Sequence, residues 1–323
     1  MSGFRFAGLY HPSHHVPDLD EAEAFFERVF GRTSTRLASL SARSSAPRDG
    51  FSNDYCTFTP IADVLFDCID PARYLVEGRR PYEPVTEPSL RGLGWYVEGI
   101  AGLHTALRAA GLTVVDQLDR VVDGDDPPTA AGSSMPLLFT TPADAGLRHE
   151  LLPPIPFALD HRQADGWTLG PPAPDDPLGV VGCAHHTVTT RRPERARRLL
   201  VDVFGGTVIH EGHDELLDAT ATYVRLADTV IELAVPTSAG AGAGAADRAD
   251  QRADDGAAGD DYGSIAWEVV DLARAEAHLV AEGVGIAART DRAILTVPAT
   301  GLGIAWRFSE GRDPVVHHRR PAD

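Results

Sequence analysis

Apolar residues recur at helical spacing in two distant segments of the chain. Between residues 18 and 31 they return every three or four positions, which predicts an amphipathic helix. Asp18 followed by Glu21 is typical of a helix start, and Gly31 of a helix end. The same pattern returns 174 residues later. The displacement also holds for the histidine that precedes each helix, His11 and His185. The matched apolar positions are Ala22, Phe25, Phe26, Val29 and Phe30, and Ala196, Leu199, Leu200, Val203 and Phe204.

Two further pairs of segments repeat in the same order. An apolar strand pattern ending at Val97 precedes a helix over Leu103–Ala110, which stops at Gly111, and the segment from Val269 to Gly283 has the same 14-residue spacing. Residues 62–71 and 227–236 match column by column and are typical of buried strands. In the first half, strands are also predicted near 5–16, 54–60, 62–69, 112–118, 135–141 and 147–152. The repeats predict an α+β protein with four βαβββ units.

Composition shifts divide the repeated units into two domains. We predict a first domain at 1–160 and a second at 179–312. Residues 161–178, rich in Pro, Gly and Asp, are predicted to be a linker, and residues 313–323 a tail. The Ala-, Gly- and Asp-rich stretch 238–261 is predicted to be a disordered loop within the second domain.

Charge and composition exclude several classes of partner and chemistry. A net charge of -18 disfavours binding to nucleic acid or to anionic membranes. No apolar run is long enough to span a membrane, and the first ten residues do not form a secretion signal. Three cysteines without metal-type spacing indicate reduced thiols and a cytoplasmic location. All 29 basic residues are arginine, so a Schiff base or a lysine general base is excluded.

The repeated motifs resemble the vicinal oxygen chelate (VOC) superfamily across nearly the whole chain. This superfamily includes glyoxalase I, methylmalonyl-CoA epimerase, extradiol dioxygenases, and fosfomycin and bleomycin resistance proteins. The resemblance implies tandem βαβββ units that form two half-open mixed-sheet barrels. It is specific for the fold and weak for the reaction. The residues that carry it are His11, 16–18, Phe25, Phe26, Phe30, Gly31, 95–97, Gly111, 139–144 and Glu150, with counterparts at His185, Thr190, Phe204, Gly205, Glu232 and 267–271.

The resemblance also implies a metal site in the first domain. Ligands in this superfamily come from four equivalent strand positions, and three of them here are His11, Asp67 and Glu150. One imidazole and two carboxylates suit Mg²⁺, Mn²⁺, Fe²⁺, Zn²⁺ or Ni²⁺, and they leave coordination positions open for a substrate. The fourth position is Gly92, where metal-dependent members usually have histidine. The second domain offers only His185 and Glu232, because the remaining equivalents are Ser264 and Ala305.

Strand alternation predicts which side chains line the cavity around these ligands. We expect Glu150, released from the metal, or His15 to move a proton during the reaction. His15 lies too far along its strand from His11, roughly 13 Å, to share one metal. The residues predicted to contact substrate are Ser13, Gly92, Gly94, Tyr96 and Arg148.

Two alternatives for the site stay open at this point. The inner two βαβββ units could form one barrel, in which case Glu150, His185 and Glu232 would be the three ligands. Asp67 could instead form a structural ion pair with Arg148, with no metal, because a carboxylate in an apolar strand must be paired or coordinated. The similar lengths of the two halves favour the unswapped pairing.

The expected function is a metal-dependent lyase or isomerase, similar to glyoxalases and epimerases, that acts on a small oxygen-rich or carbonyl substrate. Two other functions are considered. One is a ring-cleaving dioxygenase with an atypical iron site, since the usual set of two histidines and one carboxylate is absent. The other is a metal-free small-molecule binding or drug-resistance protein. A second copy of the chain, in a homodimer, is the only macromolecular partner that we consider.

Overall fold

The computed structural model describes residues 3–41, 49–237 and 259–311. These residues form two compact units, one made of residues up to 140 together with 149–169, and the other of 141–148 together with 170 onwards. The predicted disordered loop 238–261 lies outside the described residues except for its last three positions, and so does the predicted tail at 313–323. The linear domain boundaries at 160 and 178 stay a prediction. Within the described ranges, no helix is long and apolar enough to cross a membrane.

The first half of the chain has the predicted βαβββ order twice. Its first repeat is β1 (Arg5–His15), α1 (Leu19–Phe30), β2 (Thr35–Arg36), α2 (Ala38–Ser41), β3 (Cys56–Ile61) and β4 (Val64–Ile69). Its second repeat is β5 (Ser89–Glu98), α3 (Ile100–Ala109), β6 (Val114–Val115), β7 (Leu138–Thr140), α4 (Pro142–Ala145) and β8 (Arg148–Leu152).

These strands form one eight-stranded mixed sheet in the order β2-β3-β4-β1-β5-β8-β7-β6. Strand β1 runs parallel to β4 and antiparallel to β5, so the first two βαβββ repeats join across these strands. The pairing is therefore the unswapped one, and the alternative in which the inner two repeats share a barrel is wrong.

Apart from the short helices α2 and α4, the second half has the same order of strands and helices. It contains β9 (Val180–Thr189), α5 (Pro193–Arg197), β10 (Thr207–Asp214), β11 (Ala219–Leu226), β12 (Thr229–Pro236), β13 (Asp261–Val269), α6 (Leu272–Ala281), β14 (Ile286–Arg289), β15 (Ala293–Thr296) and β16 (Ala305–Glu310). Its sheet order, β10-β11-β12-β9-β13-β16-β15-β14, reproduces that of the first sheet. One predicted helix differs: α5 continues over Arg198–Val203 as a π-helical segment, with wider backbone hydrogen bonds such as Phe204 N–H to Leu199 O.

Local sequence explains how α1 is placed next to the site strands. The Asp18 carboxylate accepts hydrogen bonds from the backbone N–H groups of Asp20 and Glu21, and Gly31 ends the helix in the left-handed conformation. The apolar stripe predicted from the sequence is buried along the helix. This confirms the predicted helix and both of its ends.

A β-bulge interrupts the alternation of β1 beside the site. In the register with β5, Leu9 pairs with Trp95 and His11 with Gly94, so Tyr10 is an extra residue on β1. The same irregularity occurs in the second unit, where Cys183 pairs with Trp267 and His185 with Ala266. Both halves therefore use a bulge immediately before the histidine at the equivalent position.

Candidate metal site

The first unit brings the three predicted ligands together on one face of its sheet, which we call the inner face. His11 on β1 has its Nε2 atom 3.7 Å from Asp67 Oδ2 on β4 and 3.7 Å from Glu150 Oε2 on β8. The side chains of His11 and Asp67 are only 3% and 7% exposed, whereas that of Glu150 is 24% exposed. Glu150 is therefore the ligand candidate that solvent and a substrate can reach.

Burial favours the uncharged forms of His11 and Asp67 when no cation is bound. It lowers the pKa of His11 to about 3, with a further lowering from the charge of Arg162, so the imidazole is neutral at pH 7. Burial also raises the pKa of Asp67 well above its usual value, and the Glu150 charge raises it further, while the Cys56 thiol lowers it. A neutral imidazole beside two carboxylates is the donor set that a divalent cation stabilises.

One carboxylate oxygen of this cluster has no hydrogen-bond partner among the described residues. Asp67 Oδ1 is buried and accepts no hydrogen bond within that part of the chain. A buried carboxylate oxygen without a partner is costly, because it has lost its hydration. A cation would compensate that loss.

The spacing of the donors is close to what coordination needs. Two atoms 3.7 Å apart can bind one cation at about 2.1 Å each, with an angle of about 120° at the metal. Within 3–41, 49–237 and 259–311, no three His, Cys, Asp or Glu side chains already stand in a coordinating arrangement. The three side chains therefore fit a metal in donor type and in approximate spacing, and small side-chain rotations would have to bring their atoms together.

Two of the residues predicted to contact substrate lie against the ring of His11. The Ser13 hydroxyl lies 3.3 Å from His11 Nδ1, on the side of the ring opposite the carboxylates. Gly94 faces the ring directly, since a Cβ atom there would lie 3.1 Å from His11 Cε1 and 3.2 Å from Nε2. Gly92 pairs with Ser13 in the sheet. These residues make room for the imidazole and orient it.

The remaining predicted residues lie further from the three ligands or are engaged elsewhere. His15 is buried with its ring 4.6 Å from that of Tyr82, and it pairs in the sheet with Ile69 and Ser89, beyond the row of Asp67. The only ion-pair partner of Asp67 within the described residues is His11, so its alternative pairing with Arg148 is wrong.

Tyr96, also predicted to contact substrate, is held by a segment that the sequence did not single out. Its hydroxyl accepts a hydrogen bond from Gln163 Nε2 at 2.9 Å and lies 3.5 Å from Asp160 Oδ2. Residues 153–163, which we call the strap, follow β8 and pack on the inner face. Half-buried and exposed positions alternate between Pro153 and Leu159. In the sequence, this segment is marked by apolar residues that alternate with prolines. The predicted domain boundary at residue 160 divided it between the first domain and the linker, so its role in the site was missed.

In the equivalent cluster of the second unit, both oxygens of the carboxylate accept hydrogen bonds. His185 Nε2 lies 3.2 Å from Glu232 Oε2, and both side chains are fully buried. The Thr187 hydroxyl donates to Glu232 Oε2 at 2.6 Å, and the Tyr223 hydroxyl donates to Oε1 at 2.9 Å. Although burial alone would raise the pKa of Glu232, the neighbouring His185 holds it well below its usual value. Ser264 pairs with Ala305 in the sheet, at the positions that carry no further metal ligand.

One of the differences between the two clusters lies on the strand next to the carboxylate. Tyr223 lies opposite Glu232 on the neighbouring strand and donates to it, whereas Phe58 lies opposite Asp67 and has no donor to offer. Each oxygen of the second-unit carboxylate thus has a hydroxyl partner, and the first-unit carboxylate keeps an oxygen without one. This internal comparison separates a carboxylate whose two oxygens are both hydrogen-bonded from one that can take a cation.

Comparison with known proteins gives structural matches only. No family model matches the chain, and no curated protein sequence is significantly similar to it. The chain is similar in structure to the 2,3-dioxygenase LapB from Pseudomonas sp. KL28, with 12% identity, coverage of 95% of this chain and 93% of that chain, and a TM-score of 0.57. A mutant of 4-hydroxymandelate synthase from Streptomyces coelicolor matches with 13% identity, the same two coverages and a TM-score of 0.56.

A third similar structure is the Mn(II)-bound glyoxalase from Novosphingobium aromaticivorans. It shares 13% identity over 95% of this chain and 83% of that chain, with a TM-score of 0.51. At such identities the matches establish the fold and leave the reaction open. Together with the two eight-stranded sheets built from βαβββ repeats, they show that this chain has the same tandem fold as these dioxygenase, synthase and glyoxalase structures.

Proposed function

We propose that the first unit is a metal-dependent enzyme site in which His11, Asp67 and Glu150 bind one divalent cation. The observation that carries this proposal is the approach of His11 Nε2 to one oxygen of each carboxylate, at 3.7 Å in both cases. The buried Asp67 Oδ1, without a hydrogen-bond partner among the described residues, supports it. Mn²⁺, Fe²⁺, Zn²⁺, Ni²⁺ and Mg²⁺ all suit this donor set.

The substrate class that we propose is a small molecule with vicinal oxygens or a carbonyl group. A bound divalent cation would supply Lewis-acid polarisation of those oxygens. Glu150 is the residue placed to move a proton, because it is the most exposed of the three and projects from β8 beside His11. We therefore propose lyase or isomerase chemistry of the glyoxalase or epimerase kind.

Ser13 orients the His11 imidazole for metal binding. Ser13 lies at Nδ1 and directs Nε2 towards the carboxylates, which is the arrangement that fixes the ring of a metal-bound histidine. We propose that the second unit is a degenerate copy that binds no metal, since both oxygens of Glu232 already accept hydroxyl hydrogen bonds. The three cysteines are free and buried, which supports the proposal that the protein works in the cytoplasm.

Metal content of purified protein tests the proposal. By inductively coupled plasma mass spectrometry, wild type is expected to hold about one divalent metal per chain. His11→Ala and Glu150→Ala should lose the metal, and the matched second-unit variant His185→Ala should keep it. A wild type that stays metal-free after incubation with each of the five cations would refute the proposal.

A metal-free binding protein is a second candidate, because the inner face carries many aromatic side chains. The apolar cluster on this face includes Tyr10, Phe58, Tyr74, Tyr96 and Phe139. These side chains are buried and pack against one another, so an apolar or aromatic ligand would have to displace some of their neighbours. Calorimetry of chelator-treated protein with an aromatic ligand such as 8-anilinonaphthalene-1-sulfonate tests this candidate: tight binding at one site favours it, and no binding counts against it.

The dioxygenase alternative has no specific support in the site. On the strand facing His11, the inner face presents Gly94 and Gly92, so neither position offers a second histidine. Oxygen consumption by Fe²⁺-loaded protein with a catechol as substrate would support the dioxygenase alternative.

A further inference from the structure

The bulge in β1 leaves Tyr10 outside both strand registers of the candidate site. The register of β1 with β5 passes from Leu9 to His11, and its register with β4 begins at Ser13. A residue that is left out of its strand ladder needs another partner for its buried backbone groups. Tyr10 is itself 8% exposed. Its carbonyl therefore needs a donor from elsewhere in the chain.

Arg162 of the strap supplies that donor. Its NH2 group donates to the Tyr10 carbonyl at 2.7 Å, immediately before His11 in the chain. The same guanidinium makes two hydrogen bonds to the Asp160 carboxylate, at 2.8 and 2.9 Å. The side chains of Arg162 and Asp160 are 12% and 1% exposed, so this is a buried pair of fixed geometry.

The rest of the strap holds Arg162 in place at several points of the first unit. Gln163 donates to the Tyr96 hydroxyl, and His161 Nε2 lies 2.6 Å from the Ala62 carbonyl in the turn between β3 and β4. The Phe157 ring stands edge-on to Tyr10, with 5.6 Å between the ring centroids. The strap therefore crosses the inner face with contacts to β5, to β1 and to the β3–β4 turn.

We propose that Arg162 is a positioning residue for His11, which clamps the Tyr10 bulge and thereby fixes the direction of the imidazole. This inference rests on the proposed function, because a fixed imidazole matters for metal binding. The bulge re-aims His11 towards Asp67 and Glu150, and the strap keeps the bulge in that form. Arg162 contacts neither the cation nor the substrate in this account.

Electrostatics and positioning predict opposite effects of removing this arginine. A positive charge near the site opposes a cation. If Arg162 acted only through its charge, replacing it with methionine would tighten metal binding. If it acts by position, the same change weakens metal binding, although a positive charge has been removed.

The main test removes both members of the buried pair, because one member left alone would be an uncompensated buried charge. The variant is Arg162→Met with Asp160→Asn, whose net charge equals that of wild type. Free Mn²⁺ is followed by electron paramagnetic resonance during titration. We expect the dissociation constant for Mn²⁺ to rise about 10- to 100-fold. Arg162→Lys, which keeps the charge and one donor, should fall between the double variant and wild type.

A matched control uses the exposed Arg5–Glu98 pair, which joins β1 to β5. Arg5→Met with Glu98→Gln should leave the dissociation constant within about twofold of wild type. A double variant at Arg162 and Asp160 that binds Mn²⁺ within twofold of wild type, or more tightly than wild type, would overturn the inference.

A second measurement works on metal-free protein, so that the two proposals can fail separately. Hydrogen–deuterium exchange followed by mass spectrometry reports on the peptide that contains residues 5–15. We expect this peptide to exchange at least tenfold faster in the Arg162/Asp160 variant than in the Arg5/Glu98 control, because the bulge has lost its clamp. If wild type binds none of the five cations, the proposed function fails while this result still supports the clamp. An unchanged exchange rate would overturn the clamp itself.

Discussion

The substitution Gly94→Ala tests whether His11 must keep its present position to bind a metal. A Cβ atom at this position would lie 3.1 Å from His11 Cε1, 3.2 Å from Nε2 and 3.3 Å from Tyr10 Cδ1. In Gly94→Ala the imidazole must therefore shift by a few tenths of an ångström, at the nitrogen that faces the carboxylates. Overpacking of this kind costs about 1–3 kcal/mol, and the loss of glycine freedom in the unfolded chain returns about 0.4–1 kcal/mol.

We accordingly expect Gly94→Ala to lower the free energy of unfolding by only about 1 kcal/mol. Its Mn²⁺ dissociation constant should rise about 10- to 100-fold, because a ligand has been displaced. The second unit already has an alanine at the equivalent position, where Ala266 pairs with His185, so the fold accommodates a Cβ atom there. The control is Gly124→Ala, where a Cβ atom meets nothing within 4 Å.

Urea unfolding and Mn²⁺ titration of both variants give the result. The reasoning fails if Gly94→Ala and Gly124→Ala bind Mn²⁺ equally tightly, because the affinity would then not depend on contact with His11.

Two further predictions concern stability. Tyr223→Phe should lower the free energy of unfolding by about 1–3 kcal/mol, because a buried oxygen of Glu232 loses its donor, and metal content should not change; equal stability of variant and wild type would contradict this. Burial lowers the pKa of His149 to about 3 from 6.5, so its contribution to stability is complete above pH 6.5 and is lost as pH falls towards 3. His149→Gln should therefore flatten the pH dependence of urea unfolding between pH 6.5 and 4 by up to about 1.4 kcal/mol per pH unit, and an unchanged slope would contradict the reasoning.

The fold was predictable because hydrophobic period, helix ends and internal repeats all agree. The helix between Asp18 and Gly31 has the predicted cap, end and buried stripe. Strand β6, in contrast, is only two residues long, where the sequence predicted a strand near 112–118. The repeats set the order of elements, whereas strand length also depends on pairing with neighbours that sequence does not reveal.

The three ligand candidates came from the resemblance, which implies ligands at equivalent strand positions, and the structure brings their side chains together while their metal-binding role stays a prediction. The strap and the Tyr10 bulge were not predictable. A bulge depends on how two strands pair, and nothing in the residues around Tyr10 marks it. Arg162 lies 152 positions from Tyr10 along the chain, so its contact with that carbonyl is visible only in three dimensions.

The second unit shows why residue type alone was insufficient. His185 and Glu232 match His11 and Asp67 in sequence, but Thr187 and Tyr223 satisfy the carboxylate with hydrogen bonds. Whether a buried His–carboxylate pair binds a metal depends on its neighbours' donors, which lie on other strands.

The most direct test of the account is an anomalous difference map from crystals soaked in Mn²⁺. The account predicts one strong peak per chain, about 2.0–2.3 Å from His11 Nε2 and from carboxylate oxygens of Asp67 and Glu150. It predicts no peak beside His185 and Glu232. A peak in the second unit, or none in the first at saturating Mn²⁺, would contradict it.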